Sequence, residues 1–461
     1  MKAWRLAAVT LAAMALVVSA CGDAADTTTT AGDGDVTTTA GEAGDTTVPA
    51  GDTTVPEGDT DPIVMATSLP LTGGFSIPAI KHQDGYQLCV DLINEQGGVL
   101  GRELVLEVED NQSVPETAVT QYERFVDEAD VLLGTFSSLI TGPTSAIAEQ
   151  NGMVYPVPSG GAQRIWERGF QNMFYFQQGP AEGIGRASTN AMAYYLEQGV
   201  MDALPATAAV VWADDPFASG IANGLLGGEV TDPDGNVVAD LAPGFLAEAG
   251  IEVVMDDAWA EGFTDWLTFA NSIAQSGAEA IFASTASVDE AVALVQALQT
   301  VGHQPSYMYM SQGAQSEFAD LLAGAENHIA IHTAWHASLE IDAVLGGETF
   351  SNADFVAAFE GVHGRPPDED EAIPFSVCQG MVQAIEGAGT TDNAAIADWL
   401  RSRTADDPVT TVLGEFHWDE KGLPIDRDYN LTQWQDGDLN FIFPVGEFPG
   451  TTDLVYPKAE W

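Results

Sequence analysis

The residues of this sequence best suited to chemistry are hydroxyls and backbone N–H groups gathered in short Gly-rich turns. Three such turns follow apolar runs: Leu69-Pro70-Leu71-Thr72-Gly73-Gly74-Phe75-Ser76, Gly134-Thr135-Phe136-Ser137-Ser138 and Pro158-Ser159-Gly160-Gly161. A helical pattern comes after each, so the free N–H groups of helix starts and the Ser hydroxyls would converge on one point. That is a cradle for a carboxylate or an amide oxygen. Ser and Gly cap helices everywhere, so the signal is the serial recurrence and not any single turn.

Other chemistries find less support. His328, His332 and His336 recur every fourth residue, which on a helix would align three imidazoles. The stretch HIAIHTAWHA reads instead as a strand running into a loop, where positions i and i+4 lie about 13 Å apart, too far to share a metal ion. No metal and no cofactor is expected. The sequence has no GxSxG elbow, no HExxH and no phosphate loop with a Lys after its glycines. Its many carboxylates show no spacing that singles out an acid/base pair. A secreted hydrolase is therefore the weaker reading, and no enzymatic activity is expected. Cys89 and Cys378 each sit in an apolar helical pattern, GYQLCVDLI and FSVCQGMVQAI. Two buried thiols are the default expectation, and a disulfide between them is permitted outside the cytoplasm.

The elements that must position the turns alternate regularly. Ile63–Ala66, Leu104–Glu109, Val131–Gly134, Met153–Val157, Ala208–Trp212, Glu252–Met255, Ala280–Ala283 and Tyr307–Met310 read as short strands. Amphipathic helical patterns lie between them, among them Asp84–Asn94, Glu116–Glu128, Ala181–Glu197, Thr264–Gln275 and Asp289–Thr300. Alternating strand and helix implies right-handed βαβ units and parallel sheets covered on both faces. Near the end, Leu431–Trp434, an Asp436-Gly437 turn and Leu439–Phe443 read as a hairpin. The block from Thr231 to Pro243 reads as a surface turn that lacks the remaining ligands of a calcium loop. In open parallel sheets ligands sit outside the carboxyl ends of the strands, which is where the Ser/Gly turns fall.

The N-terminus reads as an export signal. Lys2 and Arg5 precede an apolar run from Leu6 to Val18, shorter than the roughly 20 residues a helix needs to cross a bilayer. The run ends in Val18-Ser19-Ala20-Cys21-Gly22, which resembles the bacterial lipobox, with Cys21 as the acylated residue and residues 1–20 as the signal peptide. Residues 21–61 then form an acidic, Thr-rich tether with the near-repeat GDTTVPA/GDTTVPE, too poor in apolar surface to fold. Such a tether has a root-mean-square reach of roughly 35 Å. The protein is thus expected outside the cytoplasm, held at the membrane by its lipid. The formal charge of −55, from 14 basic against 69 acidic residues, makes nucleic acid a poor partner.

About 400 residues remain from Pro62 to Trp461, suited to two lobes. Here the chain resembles the type I periplasmic solute-binding proteins of ABC transporters, specifically the Leu/Ile/Val-binding group. The similar blocks are PLTGGFS, GYQLCVDLINEQGGVLGREL followed by VEDNQS, then GTFSS, YPVPSGG, ADDPFASG and GEFHWDEKG. The resemblance implies two Rossmann-like lobes with parallel central sheets, joined by three hinge crossovers near Gln177, Gln312 and Pro424. Lobe 1 would hold residues 62–177 and 313–424, and lobe 2 residues 178–312 and 425–461. It also implies a monomer that closes on a small ligand and delivers it to an ABC transporter permease; a ligand sensor for a surface receptor would share the fold.

Site residues follow from the same resemblance. Ser138, beside Ser137, matches the serine that holds the ligand carboxylate; Ser159, Gly160 and Gly161 match the turn that completes the grip, with Gly161 in place of a threonine. Phe75 lies in the first turn, and Phe217 stands where an aromatic covers the ligand. The loop from Ser284 to Ser287 stands where amino-acid binders carry another aromatic. Gln312 falls where they carry a Glu that pairs the ligand ammonium, and Gln177 and Gln178 supply no acid either. With no carboxylate for an ammonium, a neutral amide or small organic acid is expected to bind ahead of a zwitterion, unless an acid such as Asp214 or Asp215 stands near.

Overall fold

The computed structural model describes residues 60–232, 235–446 and 450–461. The expected signal peptide, Cys21 and the tether as far as residue 59 lie outside the described residues.

From the N-terminal side the chain alternates as expected. It runs through β1 (Ile63–Leu69), α1 (Ser76–Glu95), β2 (Leu104–Asp110), α2 (Pro115–Glu128), β3 (Val131–Leu132), α3 (Ser138–Gln150), β4 (Tyr155–Val157), α4 (Gln163–Trp166) and β5 (Met173–Tyr175). The strands β2-β1-β3 form a parallel sheet and β4-β5 a parallel pair. A backbone hydrogen bond from Gly134 N–H to the Pro156 carbonyl, 3.0 Å, links the two.

The chain then builds a second layer from α5 (Ala181–Glu197), β6 (Thr207–Ala213), α6 (Pro216–Leu226), β7 (Glu229–Thr231), β8 (Val237–Asp240), α7 (Phe245–Glu248), β9 (Glu252–Trp259), α8 (Trp266–Ser276), β10 (Ala280–Ser284), α9 (Val288–Val301), β11 (Tyr307–Met310), α10 (Ser316–Leu322) and β12 (Ala330–Thr333). It returns to the first lobe with β13 (Asp342–Leu345), β14 (Glu348–Ser351), α11 (Asn352–His363), α12 (Glu369–Ala388), α13 (Asn393–Arg401), β15 (Val409–Thr411) and β16 (Gly414–Phe416), and ends in the hairpin β17 (Asn430–Gln435) and β18 (Asp438–Phe443). The second sheet has seven strands in the order β18-β17-β12-β11-β10-β6-β9, parallel except where β17 joins.

Each sheet is buried on both faces, as parallel sheets must be. Along β6, Ala209 and Val211 pack with the α8 and α9 side while Ala208 and Val210 pack with the α5 and α6 side, a period-2 alternation in which both sets are apolar. The first sheet does the same, with Met65 facing the core shared by α1 and α12 and Ala66 facing the core of α2 and α3.

Three sequence readings change. The second crossover, expected near Gln312, comes after Thr333, because β12 pairs with β11 and so extends the second sheet. Hydrophobic residues beyond it, such as Trp335 and Leu339, pack into the first lobe's core. The block from Thr231 is a short hairpin, β7–β8, rather than a bare turn. Finally, Cys89 and Cys378 are joined as a disulfide between α1 and α12 instead of remaining buried thiols. These two helices pack so closely that a Cβ on Gly85 would lie 2.1 Å from the Glu371 carbonyl oxygen.

Candidate functional site

The loops at the carboxyl ends of both sheets meet around a cavity of about 40 Å³. From the first lobe come Phe136 and Ser137 after β3, Ser159 after β4, and Tyr175 and Gln177 at the end of β5. The second lobe contributes Phe217 in the first turn of α6, Ala286 after β10, Ser311 and Gln312 after β11, and His332 in β12. The first turn of α12 closes it with Glu369, Asp370 and Ile373. The parallel alternation dictates this convergence, since every strand of a βαβ unit points its carboxyl end to the same edge.

Ser137, Ser159, Phe217 and Gln312 are thus brought together. The other anticipated residues lie around them. Ser138 points away: its Oγ accepts from Ala162 N–H at 3.2 Å, and it lines a neighbouring cavity of about 310 Å³ with Arg164 and Arg168. Gly160 and Gly161 stand behind Ser159 as packing residues. A Cβ on Gly160 would meet Thr141 Cγ2 at 2.7 Å, and one on Gly161 the Tyr175 hydroxyl at 2.7 Å. Ser284 is fully buried at the end of β10, its Oγ without a partner. Phe75 and Ser287 line a larger cavity of about 600 Å³, together with Asp214 and Asp215. Phe75 packs edge-to-face on Phe136, with centroids 5.9 Å apart. Ser287 caps α9 by accepting from Glu290 N–H, and Asp215 caps α6 by accepting from Phe217 and Ala218 N–H.

Where a site without a carboxylate is expected, α12 places two in the wall of this cavity. Glu369 and Asp370 line the cavity and are only 8% and 3% exposed. Glu369 Oε2 accepts from Ala334 N–H at 2.6 Å and from Thr333 Oγ1 at 3.1 Å, and Asp370 Oδ2 accepts from Gln315 Nε2 at 2.5 Å. Burial, and then the neighbouring Asp370, pushes the Glu369 carboxyl well above the usual carboxylate range; burial and Asp368 raise Asp370 to about 7. The Lys81 ammonium, whose charge lowers Asp370 in part, lies 2.7 Å from Asp368 and 3.1 Å from Glu317 across the lobes. His332, whose ring burial lowers to about 4, is neutral, and its Nδ1 has no partner.

Sequence reasoning missed Tyr175, Gln177, Ser311 and His332 as well as the two acids. The run Pro366-Pro367-Asp368-Glu369-Asp370-Glu371 reads as an acidic helix start exposed to water. The capping box between Asp368 and Glu371 confirms the helix start, yet the residues between them face the other lobe. The histidines do not converge: His328 precedes β12, His332 faces the cavity, and His336 bonds Ser338 and the Leu439 carbonyl.

The fold and the interlobe cavity define a two-lobe solute-binding protein of type I, and comparison with known proteins agrees. Residues 62–438 match the periplasmic binding protein family, and the chain belongs to it. Its members are the extracytoplasmic solute-capturing components of ABC transporters. An amino acid binding protein of Pseudomonas aeruginosa is 24% identical over 382 residues, spanning 81% of this chain and 90% of that protein. The branched-chain amino acid transporter substrate-binding protein of Streptococcus pneumoniae, solved with isoleucine, superimposes with a TM-score of 0.67 at 18% identity, covering 82% of this chain and 97% of that one. A solute-binding protein of an ABC transporter from R. palustris, solved with benzoate, gives 0.64 at 18% identity over 87% and 98%. Among the described residues, no helix is long and apolar enough to cross a membrane.

Proposed function

We propose that this protein captures a small polar organic solute, an amino acid or a close relative, between its lobes and hands it to an ABC transporter permease, while a lipid on Cys21 holds it at the outer face of the membrane. It acts as a monomer, by binding and not by turnover. The observation that carries the reading is the cavity itself. Ser137 and Ser159 line it together with Phe217, Ser311 and Gln312 of the other lobe.

Hydroxyls suit a carboxylate or carbonyl oxygen, the Phe217 ring covers an apolar body, and the hinge segments give access by opening. The relatives named for amino acids, and the neighbours solved with isoleucine and with benzoate, share a ligand with a carboxylate at one end. The test is mass spectrometry of solute released on denaturing the purified protein, followed by titration of that solute. A stoichiometric small carboxylate or amide is expected, with Ser159→Ala weakening it about tenfold through a lost hydrogen bond to a charged group. A protein that yields no solute, and that amino acids, amides and organic acids all fail to stabilise, would refute the reading.

A further inference from the structure

We propose that Glu369 and Asp370 are the cation subsite of this cleft: the ligand carries an ammonium that sits against this pair. The inference rests on the interlobe cavity being the solute site. It goes further by assigning the charge of the ligand and the residues that read it.

Three observations support it. Both carboxylates line the cavity while being more than nine-tenths buried, and no Lys or Arg is among the lining residues. Every donor that reaches them is neutral: the Ala334 N–H, the Thr333 hydroxyl and the Gln315 amide. Independently, the buried His332 Nδ1 lines the same cavity with no partner, a further acceptor suited to an N–H of the ligand.

The charged and titratable neighbours sharpen the argument. On α12 itself, Asp368 and Glu371 add negative charge. On α1, Lys81 is committed to Asp368 and Glu317, and the His82 Nδ1 lies 4.0 Å from Asp370 Oδ1. That imidazole is held near the Pro78 carbonyl at 3.0 Å and, lowered to about 4 by burial, stays neutral. From α10 comes Glu317, and from β12 the neutral His332. On β5 and β11, Tyr175 and Tyr309 are buried phenols pushed up and so uncharged. Ahead of α12, Arg365 is spent on Glu371 at 2.6 Å and Asp84 at 3.3 Å, and the Lys81 charge, though it lowers Asp370 in part, is shared with Asp368 and Glu317. Among the described residues no Lys or Arg pairs directly with either carboxylate, and two adjacent buried carboxylates do not both ionise readily without such a partner. A ligand ammonium supplies it. A proton held by these raised carboxyls leaves to solvent as the ammonium arrives, so the net charge at the pair is unchanged, while the ligand's carboxylate is met by the hydroxyls on the other side of the cavity. Gln312, at the opposite lobe, leaves this role to α12.

The test pairs each amino acid with its des-amino counterpart: glycine with acetate, alanine with propionate, leucine with 4-methylpentanoate. Calorimetry of the full mature domain at pH 7 in phosphate and in Tris measures the proton count. Whichever amino acid binds should do so on the order of 100-fold more tightly than its partner acid, with release of up to about one proton. Glu369→Gln and Asp370→Asn should each shrink that gap and the proton release; thermal melts establish folding, and the wild-type proton count needs no variant. A des-amino acid or benzoate that matches the amino acid in affinity, or tight amino-acid binding with no proton released, would overturn the subsite while leaving the capture reading intact. Failure of every small solute would overturn both.

Discussion

Replacing Cys89 and Cys378 by Ala should cost the protein stability without moving its fold. Both residues are fully buried, and the bond between them closes a loop across a sequence separation of 289. In the chain-entropy account, releasing a loop that long gives the unfolded chain about 6 kcal/mol of freedom. The native helices keep their other contacts, since Lys81 of α1 stays paired with Asp368 at the start of α12 and the backbones remain apposed at Gly85. If Gly58–Trp461 melts as one cooperative unit, the loss corresponds to a Tm lower by about 7 °C. The assay is calorimetry of the double variant and of Cys89→Ala alone, alongside peptide mapping of the unreduced wild type. The single and double variants should fall by similar amounts, because either one opens the loop. Recovery of both cysteines as free thiols, or a double variant that melts within about 2 °C of wild type, would refute the reasoning.

Gly85→Ala should destabilise the first lobe by about 2 kcal/mol, because the new methyl meets the Glu371 backbone and α1 must shift; unchanged urea midpoints would count against it. Between pH 6.5 and 8 the ligand-free protein should lose stability as pH rises. Glu369, Asp370 and Glu182 have folded pKa values raised by burial, the last two to about 7, so the native state holds protons that the unfolded chain has already given up. Each proton so held contributes about 1.4 kcal/mol per pH unit, and a flat Tm across this window contradicts the assignment. His82 and His332, whose folded pKa values are lowered to about 4, act in the opposite sense, contributing stability that is lost as pH falls from about 6.5 towards 4, so below pH 6.5 they offset part of the carboxyl slope. Cys21→Ser should leave the protein unprocessed or released from the membrane, as fractionation after a salt wash will show; unaltered retention excludes the lipid anchor.

Which features were legible in the residues depended on the range of the physics that sets them. The sheets were, because a strand buried on both faces must be apolar throughout, as Ala208–Trp212 and Ala280–Ala283 are, and because βαβ chirality sends all carboxyl ends to one edge. Ser137, Ser159, Phe217 and Gln312 could be located in advance for the same reason, as they directly follow such strands. Side-chain direction within a turn was beyond that reasoning: Ser137 faces the cavity and Ser138 the Ala162 N–H, a difference set by how α3 starts against β4. Membership of β12 in the second sheet depended on its pairing with β11 and β17, contacts whose partner β17 lies about a hundred residues away in the chain. The acids of α12 depended on tertiary structure most of all. In sequence, Asp368-Glu369-Asp370-Glu371 is a solvated helix start, favoured by its dipole and capping box. Only closure of the second lobe over it, through Gln315 and Thr333, removes the water, and it is that burial which lifts two ordinary carboxyls above the usual carboxylate range.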